Sequence, residues 1–282
     1  MSAATVATPR GRADRLGPAA RAGRLGPAVR AEWTKLRTVA GPAWLLLTAA
    51  ALTVGLSALA AGAVRCPDVG CGIDATKTAL TGFQLGQAVI AVLAVLVVAG
   101  EYSTGMMRTT LTAMPGRATM LAAKAAVLAV PVLTVGAVGA LGSVLFGRLL
   151  LPGRGFTPAH GYRPLSLVDG MTLRAAGGSV LYLALIAMLS LGFAVLIRDS
   201  AVAIGVVLGL LYLFPILTTL VTSPSWKRHV QQISPSGAGL AIQNTTNLNN
   251  PPLGPWAGLG VLTLWAAGAL LLGWLVLRLR DA

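Results

Sequence analysis

Six stretches of this chain are almost purely apolar, and polar residues are largely confined to the segments between them. They run over 41–64, 82–100, 124–147, 175–197, 201–222 and 255–277. Each is close to about 20 residues, the length of helix that crosses a hydrocarbon core about 30 Å thick. The pattern predicts an all-α membrane protein with six transmembrane helices. Pro131 and Pro215 fall inside the third and fifth runs. Proline is tolerated there because neighbouring helices re-satisfy the freed backbone groups. Only Arg198-Asp199-Ser200 separates the fourth run from the fifth, which predicts a tight polar turn.

Two further segments have helical periodicity of a mixed kind. Over 28–39, Val29, Trp33, Leu36 and Ala40 share one face, while Arg30, Glu32, Lys35 and Arg37 share the other. A basic amphipathic helix with an aromatic at its edge suits the headgroup plane of a membrane. The same residues also fit a simple positive flank to the first span. Between the second and third runs, Met107, Leu111 and Met114 line one face and Arg108 and Thr112 another, with Pro115-Gly116 as a stop signal. This predicts a short amphipathic helix over 102–114, hinged at Gly105. Its flexible Met and Leu face suits either a groove on a partner protein or the membrane surface. Residues 1–27 hold mostly Ala, Gly, Pro and Arg, with a near-repeat at 15–19 and 24–28. They are expected to form a disordered basic arm, because they cannot bury enough apolar surface to order themselves. Residues 28–282 then form a single transmembrane domain.

Composition strengthens this picture. Of 282 residues, 55% are hydrophobic and 11% charged, whereas soluble domains are about 45–50% apolar and about 25% charged. Ala, Val, Leu and Gly dominate, the mix that lets membrane helices approach closely. The pairs Gly82/Gly86, Gly205/Gly209 and Gly254/Gly258 have the spacing of close helix crossings. The net charge of +14 favours a membrane surface over nucleic acid. The cations sit in the N-terminal arm and at the ends of apolar runs, not in a stripe with interleaved aromatics.

Lys and Arg counts also predict orientation. With the N-terminus inside, inner segments carry 14 and outer segments eight. Both termini are therefore expected in the cytoplasm, although the connection between the third and fourth spans is unusually basic. Cys66 and Cys71 would then lie outside, where a disulfide can persist. Two free thiols remain the other reading, and two cysteines cannot complete a four-ligand zinc site.

The chemistry-bearing residues are few. No Gly-Lys dipeptide occurs, so there is no P-loop. His160 and His229 have no partner at metal spacing, and neither a catalytic triad nor a pair of carboxylates can be argued. No catalytic residue, no metal site and no cofactor are expected in the chain. The spans are nearly free of ionisable groups, with Glu101, Arg198 and Asp199 at their edges, which argues against a self-sufficient ion-driven carrier. Gln84 and Gln87 in the second span, with Thr81, suit helix–helix hydrogen bonding better than a polar path.

The run Glu101-Tyr102-Ser103-Thr104-Gly105, followed by Arg108-Thr109-Thr110-Leu111-Thr112, Pro115, Arg117 and Ala122-Ala123-Lys124, closely resembles permease subunits of bacterial type-2 ABC transporters of the actinobacterial kind. Glu32-Trp33-Thr34-Lys35-Leu36-Arg37-Thr38, Arg198-Asp199-Ser200-Ala201 and Ser234-Pro235-Ser236-Gly237-Ala238-Gly239 are similar to other segments of that family. The resemblance covers nearly the whole chain after residue 28. It implies a plasma-membrane subunit of an ATP-driven exporter, without a nucleotide site of its own. Two copies, or two related permeases, would pair with two ATPase subunits that carry ATP and Mg. It also implies an interfacial helix over 30–39, with Trp33, Lys35 and Arg37, and a coupling helix over 102–114. Glu101, at the membrane edge where that helix begins, and Met107, Arg108, Leu111 and Met114 within it would couple to the ATPase. The long arm and the 148–174 connection depart from the family's compact pattern. A function of another class, a non-transporting membrane scaffold that anchors a partner, fits the same docking helix.

Overall fold

The computed structural model describes residues 18–67, 71–103, 117–220, 222–246 and 253–280. Among these residues there are ten α-helices and no strand. Six of the helices are long and apolar enough to cross a membrane: α2 (Ala40–Ala63), α4 (Phe83–Ser103), α5 (Arg117–Leu150), α6 (Gly170–Ile197), α7 (Ser200–Leu220) and α10 (Pro255–Arg280). The protein is a multi-pass α-helical membrane protein. The remaining four are α1 (Pro18–Thr38), α3 (Ala75–Ala79), α8 (Pro224–Ile233) and α9 (Pro235–Leu240).

Helices α4 and α6 form the middle of the bundle. Helix α6 packs against α4, α5 and α10, and α2 leans on α4 and α5. Ile90, Leu93, Leu128, Tyr182, Ile186 and Leu189 are fully buried where these helices meet. Helix α7 is the least enclosed span and presents most of its surface outward.

The small-residue pairs behave differently from one another. Gly82 and Gly86 press against Thr53 of α2, and a Cβ on either would overlap that residue. Among the described residues, no other part of the chain lies within reach of Gly205 or Gly209. Gly258 backs onto the Ala238 carbonyl, whereas Gly254 meets no other described residue.

Several boundaries differ from those the apolar runs suggest. Helix α5 starts at Arg117 rather than at 124, because Lys124 is neutralised inside the bundle and does not end the helix. Helix α6 starts at Gly170 rather than at 175, since Asp169 caps it by accepting hydrogen bonds from the Thr172 backbone N–H and hydroxyl, both at 3.1 Å. Helix α1 runs over Pro18–Thr38, so the chain is already helical before residue 28.

One end of the bundle carries a small second core. Cys66 and Cys71 form a disulfide with Cα atoms 5.8 Å apart. Around it pack Ala61, Ala79, Leu151, Phe156 and Leu165, with Phe156 and Tyr162 edge to face at 4.9 Å. Gly155 is required here: its φ is 96°, and a Cβ would overlap the Cys66 carbonyl.

The connection from α7 to α10 is a re-entrant element, although its polar sequence suggests a surface loop. Helix α9 sits inside the bundle with Pro235, Ser236, Ala238 and Gly239 buried. Ser234 caps it by accepting from the Gly237 N–H at 3.0 Å, and Ser236 Oγ donates to the Leu211 carbonyl at 2.6 Å. Gln243 Nε2 donates to Ser179 Oγ at 2.9 Å. Ser234, Ser236 and Gln243 thus each have a partner out of water, which is the condition for polar groups at membrane depth.

Candidate functional site

At the end of the bundle opposite the disulfide, four charged side chains close into a ring. Helix α1 lies along α5 with Ala28, Glu32 and Lys35 turned inward, a spacing of one turn between successive residues. Glu101 comes from the last turn of α4, and Lys124 from the second turn of α5. Lys124 Nζ lies 2.9 Å from Glu32 Oε2 and 2.7 Å from Glu101 Oε1. Lys35 Nζ lies 3.0 Å from Glu32 Oε1 and 2.9 Å from Glu101 Oε1. Each carboxylate touches both ammonium groups, and the ring sums to zero charge.

The ring is largely shut off from water. The Lys124 side chain is 0% exposed, and those of Glu32 and Glu101 are 4% and 8% exposed. Lys35 is half-buried at the rim. Burial works to lower the Lys35 pKa. The hydrogen bonds to Glu101 and Glu32 outweigh it and hold Lys35 above the ordinary lysine value. An isolated buried ammonium would be expensive, and pairing is what lets a lysine sit there charged. Beside the ring, the Arg198 guanidinium lies 5.6 Å from the Tyr102 ring, bringing the α6–α7 turn against the end of α4. Arg198 closes α6 in a left-handed conformation, φ 64°, and Asp199 Oδ1 accepts from the Val202 N–H at 2.8 Å.

The outcome for the residues singled out in the sequence is mixed. Glu101 and Lys35 are brought together. Trp33 is half-buried beside them and Arg37 is exposed. Met107, Arg108, Leu111 and Met114 lie outside the described residues. The polar face read over 28–39 is not turned wholly to water: Glu32 and Lys35 point into the bundle, where Glu32 meets Lys124 and Lys35 meets Glu101. Glu32 and Lys124 are the site residues that periodicity missed. One signal did mark Lys124, as a single cation embedded in Leu121-Ala122-Ala123-Lys124-Ala125-Ala126-Val127. A lysine in such a setting needs a partner from another helix.

A second polar feature lies toward the disulfide end. A cavity of about 330 Å³ opens between α4, α7 and the re-entrant element, lined by Gln84, Tyr212, Gln231, Ser234 and Asn244 among others. Tyr212 donates to the Gln84 carbonyl at 2.5 Å, and the Tyr182 hydroxyl donates to Gln87 Oε1. Gln87 is thus buried between helices, and both it and Gln84 line the cavity. Above it, Asp74 fastens the re-entrant element. It accepts from the Thr245 N–H at 2.6 Å, the Thr245 hydroxyl at 2.7 Å and the Thr246 N–H at 3.0 Å. Among the described residues no group of three or more His, Cys, Asp or Glu is placed to hold a metal.

Set beside known proteins, the chain matches no family model, and no curated protein is significantly similar to it. Fold and site therefore define a class, a six-span helical membrane protein with an internal ion ring at one end.

Proposed function

We propose that this chain is the permease subunit of an ATP-driven exporter of the type-2 ABC kind, working with a separate ATPase subunit and a second permease. The observation that carries the reading is the ion ring. It joins α1 to the last turn of α4 and to the second turn of α5, the two helices that flank residues 104–116. A push delivered to that flanked segment would be shared by α1, α4 and α5, since the ring ties their ends together. The cavity beside α4 and α7 supplies a polar-dotted space along the same helix α4. ATP and Mg would reside on the partner, and this chain would supply the substrate path and the docking helix. Both termini and the ion-ring end would face the cytoplasm of a bacterial plasma membrane.

Co-purification in mild detergent with any P-loop ATPase encoded in a neighbouring reading frame tests this. The native chain is expected to retain the ATPase. Met107→Asp with Leu111→Asp is expected to release it while the chain stays folded, because charge on the apolar face opposes docking. Absence of any ATPase from the native preparation, or equal retention by the double variant, would favour the scaffold function.

A further inference from the structure

Helix α8 lies where a span ends. Helix α7 has 21 residues and rises about 31 Å, which matches the hydrocarbon thickness of about 30 Å. Its last residue, Leu220, is therefore at the membrane boundary, and α8 begins at Pro224. Trp226, Val230 and Ile233 are spaced i, i+4 and i+7 and form one face of α8. Trp226 is 68% exposed and Ile233 56%. The polar side is turned the other way. Gln231 and Ser234 line the cavity shared with Pro215 and Thr218 of α7. The Trp265 indole N–H donates to the Ile233 carbonyl at 2.9 Å and fixes this orientation from α10. A helix on a water-facing surface would place these faces in reverse.

Lys227 and Arg228 follow Trp226 directly, and both are exposed. No acidic residue occurs between Asp199 and Asp281, so this part of the chain brings no carboxylate of its own. The loops at the disulfide end carry eight cations against three carboxylates, Asp68, Asp74 and Asp169. A second copy meeting α8 across a two-fold axis would set Lys227 and Arg228 against like charges. Phospholipid has the opposite chemistry, with hydrocarbon below the boundary and phosphate at it.

We propose that α8 is an interfacial helix that binds anionic phospholipid, with Trp226, Val230 and Ile233 against the acyl chains and Lys227, beside Arg228, against the headgroup phosphate. An aromatic with adjacent cations at the boundary is the arrangement that anchors helices there. Each cation near an anionic surface contributes about fivefold in binding.

Nanodiscs holding the full chain test this, made of phosphatidylcholine with increasing amounts of dibrominated lipid, either phosphatidylglycerol or phosphatidylcholine. The Trp226 signal is the difference between the native chain and Trp226→Phe. Both brominated lipids are expected to quench it, the phosphatidylglycerol at a several-fold lower mole fraction. Lys227→Gln is expected to reduce that preference about fivefold, and Lys227→Arg to keep it. Equal quenching by the two lipids would overturn the proposal. So would no quenching of Trp226 by either, which would mean that protein covers this face. No ATPase enters the measurement, so its failure and that of the transport reading are separate results.

Discussion

Lys124 Nζ and Glu101 Oε1 stand 2.7 Å apart where the lysine side chain has no exposure at all. The same ammonium reaches Glu32, so one lysine of α5 binds both α4 and α1. Removing a buried partner leaves an uncompensated charge, at a cost of about 3–5 kcal/mol. Lys124→Met is therefore expected to lower the thermal unfolding midpoint sharply in detergent. Lys124→Met with Glu32→Gln should recover much of the loss, because Glu101 and Lys35 then remain as a neutral pair. A double variant as unstable as the single one would place the effect in packing rather than in charge.

Asp74 provides a pH test at the other end. Burial works to raise its pKa, but the N–H groups of Lys77, Thr245 and Thr246 and the Thr245 hydroxyl prevail and hold it below the usual carboxylate range. A depressed folded pKa stabilises above the unfolded value and ceases to do so as pH falls through the folded one. The native chain should thus exceed Asp74→Asn in stability by a constant margin of about 1–3 kcal/mol above about pH 5. The margin should shrink as pH falls toward about 2. Melting curves of both chains across that range measure it, and a margin independent of pH would contradict the assignment.

The Cys66–Cys71 bridge closes a short loop, for which a stabilisation of about 2 kcal/mol is expected. Reductant should lower the unfolding midpoint of the native chain and leave that of Cys66→Ser with Cys71→Ser unchanged. Intact-mass analysis before and after reduction reports whether the bond was present.

Two glycine pairs of identical spacing should respond oppositely. Gly86→Val drives a side chain into Thr53, and overpacking of this kind costs about 1–3 kcal/mol. Gly205→Val meets no other part of the chain among the described residues and should change the stability of the isolated chain by less than about 0.5 kcal/mol. Denaturation of the two variants in the same detergent decides between them.

The glycine pairs also mark the limit of sequence reading. Both have three intervening residues, and only the placement of α2 makes one pair a contact and leaves the other open. The disulfide loop and Glu101 were legible as features, as was the amphipathic character of 28–39. The direction in which that helix faces was not. Its apolar residues pointed to a membrane surface, and the pull of Lys124 on Glu32 turned a charged edge inward instead. Likewise Ser234, Ser236 and Gln243 look like loop residues until Leu211 and Ser179 appear as their partners.

The chain alone determined the six spans, the all-helical class and the shortage of charge within the membrane. Those are properties of local runs, because a bilayer selects helices by length and hydropathy without reference to their neighbours. Tertiary structure decided which charges neutralise one another, which glycines touch, and that the 234–243 segment folds back into the bundle. Glu32 and Lys124 are 92 positions apart in sequence, Asp74 and Thr245 are 171 apart, and no periodicity links such residues. Their pairing follows from the free energy of burying polar groups, which is defined only once the helices have packed.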